Sequence, residues 1–240
     1  MPTVLRPVTS FVRRSPRMNA SQHSAWRRLA PRYLIGGLAR DTMETQFVAQ
    51  RPLDLATAFG RTAPLLVEVG VGSGENLAAM AAAHPGWNLL GFEVYDKVLG
   101  STMSRLDRCG ATNVRLVRGD AVTGLTYLLT PASIAELHTY FPDPWHKPRH
   151  AKRRLISAGF ARLAGSRLAG GALWRLATDW PDYADHVRQV FATADVARSF
   201  VDVAAAESDT GGRPQTKFEQ RAIAGGRPVT EFVFRRTATP

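Results

Sequence analysis

The 240-residue chain has one cysteine, Cys109. No internal disulfide can form, and a lone thiol fits a reducing compartment, so the expected location is cytoplasmic. There is no run of eighteen apolar residues, so no transmembrane helix is expected. No Gly-x-Ser-x-Gly or Cys–His pattern offers a covalent nucleophile. No His/Cys/Asp spacing suggests a metal site. Acidic residues are missing from positions 1–40, which hold Arg6, Arg13, Arg14, Arg17, Arg27, Arg28, Arg32 and Arg40. With a net charge of +11, this imbalance makes nucleic acid the first partner to consider. A membrane surface fits less well, because no amphipathic helix with a large apolar face is evident. The start has no apolar secretory core. Its arginine-rich, acid-free character resembles an organelle transit peptide, but a basic arm that orders on RNA explains the same composition.

What remains is an ordinary globular composition, 45% hydrophobic and 21% charged, in a chain long enough for one full core. Residues 1–25, rich in Pro, Ser and Arg, are expected to form a flexible basic arm. Residues 26–240 are expected to form a single domain. From Leu65 onward, short apolar runs alternate with helical stretches. Strands are expected at Leu65–Val69, Asn88–Phe92, Asn113–Val117, Ile134–Tyr140 and Ala172–Thr178, with late strands at Phe200–Ala204 and Val229–Phe234. Helices are expected at Glu75–His84, Asp96–Arg108, Ala121–Leu129, Arg154–Leu168 and Pro181–Thr193, with a helical turn within Lys217–Ala224. Such alternation with short connections predicts an α/β fold with a doubly wound, mostly parallel sheet and right-handed crossovers.

In such sheets ligands bind at the carboxyl ends of the strands. The notable residues stand there. Gly70-Val71-Gly72-Ser73-Gly74 follows the first strand, Glu93 the second, Asp120 the third, Asp143 the fourth and Asp179 the fifth. The glycine turn lets a ligand approach the backbone. It departs from the dinucleotide fingerprint, because Glu75 stands where the third glycine would be. Glu68, just before the turn, would repel a pyrophosphate. Glu93 can accept from ribose hydroxyls, and Asp120 from an exocyclic amine. Each acid alone is explained as a helix cap. Together, with no phosphate clamp, they match S-adenosylmethionine, whose ammonium, hydroxyls, amine and sulfonium all prefer acceptors or negative charge.

The stretch Phe141 to Arg154 packs a carboxylate, an aromatic ring and a basic run into fourteen residues. Pro142 and Pro144 flank Asp143 and stiffen its loop. This stretch, the glycine turn, Ser10-Phe11-Val12-Arg13-Arg14, Gly91-Phe92-Glu93-Val94, Ala177-Thr178-Asp179-Trp180, and Thr216-Lys217-Phe218-Glu219-Gln220-Arg221 together resemble the bacterial tRNA (guanine-N7)-methyltransferases. The long loop and the T-K-F-E-x-R motif carry most of the specificity.

The resemblance implies a class I methyltransferase domain over residues 26–240, with a seven-stranded Rossmann-like sheet and helices on both faces. It implies transfer of a methyl group from S-adenosylmethionine to guanine N7 at position 46 in the tRNA variable loop. Glu68, Gly70, Gly72, Gly74, Glu93, Asp120 and Asp143 would form the donor site, with Asp143 the catalytic position. Lys147, Asp179 and Thr216, Lys217, Phe218 and Glu219 would hold the target nucleotide. Arg149, His150, Lys152, Arg153 and Arg154 would face RNA. The expected partner is tRNA, with the enzyme a monomer or weak homodimer. Two rivals keep the fold and change the function: a methyltransferase for another amine acceptor, and a non-catalytic RNA-binding protein.

Guanine N7 carries a lone pair and no hydrogen, so no base need remove a proton. Positioning and electrostatics should then dominate, with Asp143 accepting from the guanine edge or facing the developing cation.

Overall fold

The structure, a computed structural model, describes residues 9–11, 18–35, 52–203 and 217–238. Its strands are β1 (Leu65–Val69), β2 (Asn88–Glu93), β3 (Val114–Arg118), β4 (Ile134–Tyr140), β5 (Leu168–Thr178), β6 (Phe200–Asp202) and β7 (Thr230–Arg236). Its helices are α1 (Ala20–Tyr33), α2 (Leu55–Phe59), α3 (Glu75–Ala83), α4 (Asp96–Arg108), α5 (Ala121–Tyr127), α6 (Ala158–Arg167), α7 (Pro181–Phe191), α8 (Ala194–Ala197) and α9 (Lys217–Ala224). The sheet order is β3-β2-β1-β4-β5-β7-β6. Strands β1 to β5 run parallel, and β7 runs antiparallel to both β5 and β6. This is the expected mostly parallel, seven-stranded α/β sheet.

Alternate residues of a strand face opposite sides of the sheet, and the apolar residues divide accordingly. Leu66, Leu89 and Leu116 pack with Leu29 and Tyr33 of α1, Leu77 and Met80 of α3, and Leu99, Met103 and Leu106 of α4. Val67, Leu90, Val117, Leu137 and Trp174 pack on the other face with Leu125 of α5, Phe160 and Ala164 of α6, and Tyr183 and Val187 of α7. Apolar burial on both faces is the main favourable term in folding, and it leaves the strand ends as the place for polar chemistry.

Most element boundaries fall within two residues of expectation; the larger departures have identifiable causes. Helix α1 begins at Ala20, inside the 1–25 segment. Asn19 closes a capping box with Gln22, accepting from the Gln22 N–H at 2.9 Å, and Gln22 also donates to Ser101 of α4. The expected helix from Arg154 starts only at Ala158. Pro148–Arg153 form a 3₁₀ turn instead, and Ser157 caps α6 by accepting from the Phe160 N–H. Strand β5 starts at Leu168 rather than Ala172: Leu168 pairs with Ile134 across an irregularity in β4, so Gly170-Gly171 lie within the strand.

Candidate active site

A cavity of about 330 Å³ opens at the carboxyl ends of β1, β2, β3 and β4. This volume lies within the range of small-molecule sites. Its wall includes Glu68, Gly70, Gly72, Asn76, Glu93, Asp120 and Asp143, together with Ser10 and Phe11 from the amino-terminal segment. The structure therefore gathers four acids from four strand ends. Among the described residues no cluster of His, Cys, Asp and Glu could hold a metal ion, and no helix is long and apolar enough to cross a membrane.

The glycine turn is built for close approach. Gly70, Gly72 and Gly74 have φ of 76°, 52° and 75°, a left-handed conformation that glycine adopts without a steric penalty. Gly74 does not line the cavity. It begins α3, and a Cβ there would lie 2.7 Å from Thr102 Cγ2. Helix α4 holds the turn: Thr102 Oγ1 donates to the Gly72 carbonyl at 2.7 Å, and Arg105 Nε donates to the Ser73 carbonyl at 2.8 Å.

The acids differ in their surroundings. Glu68 is buried, and loss of solvent pushes its pKa up to about 8, against a hydrogen bond from Asn76. Glu93 is raised to about 6, again by burial, with backbone N–H donors opposing. Its Oε1 accepts from the Val94 and Tyr95 N–H groups at 2.8 and 3.1 Å, which fixes the carboxylate. Asp120 caps α5: its Oδ2 accepts from the Thr123 N–H and hydroxyl at 3.1 and 3.0 Å. The cap and a ligand role are compatible, because a carboxylate has two oxygens. Partial burial also raises Asp143, with Arg153 opposing.

The Asp143 loop is held under strain. Phe141 and Trp145 bracket it with φ of 50° and 45°. Such backbones cost of the order of 1–3 kcal/mol each and persist only where the surroundings enforce them. Here they do. The Phe141 N–H donates to the Ala177 carbonyl at 2.8 Å, Trp145 Nε1 donates to the Ser10 carbonyl at 3.0 Å, and Arg154 Nε donates to the Pro144 carbonyl at 3.0 Å.

The basic loop divides into outward and inward groups. Lys147, Arg149 and Lys152 are exposed. His150 is half-buried, edge-on to Trp145. Arg153 lies 3.7 Å from the Trp145 ring centroid and donates to the Thr9 and Phe11 carbonyls. The Arg154 side chain is only 7% exposed, paired with Asp182 and placed over the Tyr183 ring. Arg153 and Arg154, expected to face RNA, thus also make contacts within the protein. Among the residues expected to hold the nucleotide, Asp179 accepts from Arg227 Nε at 2.9 Å, and Glu219 is half-buried in α9. Thr216 and the Lys217 and Phe218 side chains fall outside the described residues.

A row of buried polar residues was not anticipated from sequence. Asn76, Glu136, His138 and Arg175 lie beside Glu68 on the α3 face of the sheet. Its signal was present: Glu136 and His138 alternate with Ala135 and Leu137 in an internal strand.

Comparison with known proteins decides the family. The model described as "Putative methyltransferase" matches residues 62–232. A tRNA (guanine-N(7)-)-methyltransferase of Cutibacterium acnes is 47% identical over 97% of this chain and 84% of its own length. One from a Nocardioides species is 42% identical over 97% of this chain and 88% of its own. The chain belongs to the tRNA (guanine-N(7)-)-methyltransferase family. Among solved structures, the 16S rRNA methyltransferase KamB superposes with a TM-score of 0.56 at 15% identity, covering 86% of this chain and 99% of that one. A mutant 16S rRNA (adenine(1408)-N(1))-methyltransferase from Catenulisporales acidiphilia gives 0.51 at 18% identity over 76% and 89%. At that identity the likeness establishes the methyltransferase fold alone.

Proposed function

We propose that this member of the family methylates guanine N7 of tRNA at variable-loop position 46, with S-adenosylmethionine as donor. The observation that carries the reading is the cavity that collects Glu68, Glu93, Asp120 and Asp143 beneath an exposed basic loop. These residues fit the donor: acceptors ring the cavity, and the left-handed glycines leave its floor open to a ligand. When bound, the donor supplies an electrophilic methyl on a sulfonium.

Glu68 accepts from the donor's ammonium and Glu93 from its ribose hydroxyls. Asp120 uses the oxygen left free by its cap to accept from the adenine amine. Asp143 stands at the cavity mouth, where the guanine enters. N7 has no proton to lose, so Asp143 acts by charge and orientation: it faces the imidazole ring as that ring becomes cationic. Asp179 and Glu219 accept from the guanine's Watson–Crick donors. Lys147, Arg149 and Lys152 neutralise phosphates, which makes tRNA affinity fall with salt. The enzyme works in the cytoplasm as a monomer or weak homodimer.

The test is in vitro methylation of unmodified tRNA, followed by nucleoside mass spectrometry and mapping of the modified base. The expected product is 7-methylguanosine at position 46. A product methylated on an exocyclic amine, or donor-independent tRNA binding with no product, would overturn the proposal.

A further inference from the structure

The carboxylate of Glu68 is the first member of a buried chain. Asn76 Nδ2 lies 3.1 Å from Glu68 Oε2 and 2.9 Å from His138 Nδ1. His138 Nε2 lies 2.8 Å from Glu136 Oε1, which also accepts from Arg175 Nε at 2.6 Å. The strand register makes this chain possible. Glu68 of β1 pairs with His138 of β4, which pairs with Arg175 of β5, so the three side chains leave the same face of the sheet.

The chain has a direction. His138 and Arg175 together hold the Glu136 pKa below its usual value despite its burial, so Glu136 is ionised. An ionised Glu136 requires a hydrogen on His138 Nε2. Burial holds His138 below its usual pKa and therefore neutral, so Nδ1 carries a lone pair. That lone pair demands an N–H from Asn76, and the second N–H of the same amide then points at Glu68. Turned over, the amide would place its oxygen against Glu68, which repels it once that carboxyl is ionised, and would force His138 into the tautomer that sets a lone pair against Glu136. The amide oxygen shows the cost of this arrangement: Asn76 Oδ1 is the one buried side-chain polar atom among the described residues without a hydrogen-bond partner. A buried orphan acceptor is unfavourable, and the rest of the chain enforces it.

We infer that Asn76 and His138 are positioning residues of the methyl-donor site: through a one-way hydrogen-bond chain anchored on Glu136 and Arg175, they hold Glu68 with one oxygen bonded and the other turned to the donor's ammonium. The inference rests on the proposed role of Glu68. His138 lies outside the cavity wall, and Asn76, which lines it, commits its amide nitrogen to Glu68 and His138. Asn76 and His138 act by removing the freedom of the Glu68 carboxyl to rotate away or to meet the amide's oxygen instead.

The test is steady-state kinetics of the full-length enzyme on unmodified tRNA, varying S-adenosylmethionine. Asn76→Asp, nearly isosteric, replaces the donor group with an acceptor. His138→Phe removes the acceptor at Nδ1. Both variants should raise the donor KM tenfold or more, leave kcat at saturating donor within threefold, and leave the tRNA KM within twofold. His138→Gln again offers one acceptor and one donor and should return the donor KM to within threefold of wild type. An unchanged donor KM in Asn76→Asp, a fall in kcat alone, or a His138→Gln variant as impaired as His138→Phe would each overturn the inference. Glu68→Gln separates the two layers. If it binds donor normally, the role of Glu68 itself fails. If it loses donor binding while Asn76→Asp does not, only the chain fails.

Discussion

Replacing Glu68 by glutamine should stabilise the donor-free protein, and more so as pH rises. Glu68 is buried, and its pKa is displaced from 4.5 to about 8. The folded state therefore binds this proton more tightly than the unfolded state. That contribution to stability is fully present below about pH 4.5 and is lost as pH climbs through 8. For a displacement of this size the loss reaches about 4 kcal/mol at pH 8, and roughly 1 kcal/mol of it is already lost by pH 5. Glutamine keeps the shape and the acceptor for Asn76 but has nothing to ionise. Between pH 5 and pH 8 the wild type should thus lose about 3 kcal/mol more than the variant, which for a chain of this size is roughly 6–12 °C in Tm. Scanning calorimetry of both donor-free proteins at the two pH values measures this, because the titration of groups not coupled to Glu68 is shared and cancels in the difference, which leaves Glu68 and its charged neighbour Glu93. Excess donor should then stabilise the wild type by mass action and leave the variant unmoved. A gap between the two proteins that is the same at pH 5 and pH 8 would refute the account of Glu68 as a carboxyl held protonated by burial.

The same protonation should govern donor binding: between pH 6.5 and 7.5 affinity should tighten close to tenfold with the release of about one proton, measurable by titration calorimetry in buffers of different ionisation enthalpy. A pH-independent affinity across that window would count against it, and above about pH 7.7 the trend should level off as the donor's own α-amino group loses charge. Asp143→Asn should cut kcat by about 100-fold or more with a modest change in donor affinity, as expected for a group acting on charge developed in the transition state; turnover near wild type would show that its negative charge is not used. Gly124→Ala should cost about 1–3 kcal/mol, since the added methyl would lie 2.1 Å from Phe92 Cε1 in the core; thermal unfolding checks it, and an unchanged Tm would mean that β2 and α5 separate freely.

Much of the fold was legible because its signals are local. Five parallel strands are short apolar runs closed by Gly, Pro or an acid, and the acids at their ends are brought to one cavity by parallel topology alone. The misread stretches are those where a distant contact outweighs local preference. Residues 154–157 suit a helix, but Arg154 is drawn to Asp182 and Tyr183, and the Ile156 N–H is taken by the Tyr183 hydroxyl. Gly170-Gly171 suggest a break, but pairing of Leu168 with Ile134 carries the strand through them. The contacts that Arg153 and Arg154 make within the protein were hidden for the same reason: a basic run does not reveal which of its members meet a carbonyl or a ring across the fold.

The buried row under the cavity shows why donor binding and stability pull against each other here. Four acids near one another would repel if all were ionised, and a pocket that is dry enough to strengthen their attraction for a cationic ligand raises their pKa in its absence. Glu93 meets this with backbone N–H donors, and Asp120 with a helix cap. Glu68 has neither. Its one protein donor, Asn76, is oriented by a histidine whose tautomer is set by Glu136 and, one strand further on, by Arg175. The most deeply buried acid of the site is thus the one whose orientation depends on the interior of the sheet. Substitutions in β4 or β5, remote from both donor and guanine, should therefore register first as changes in donor KM.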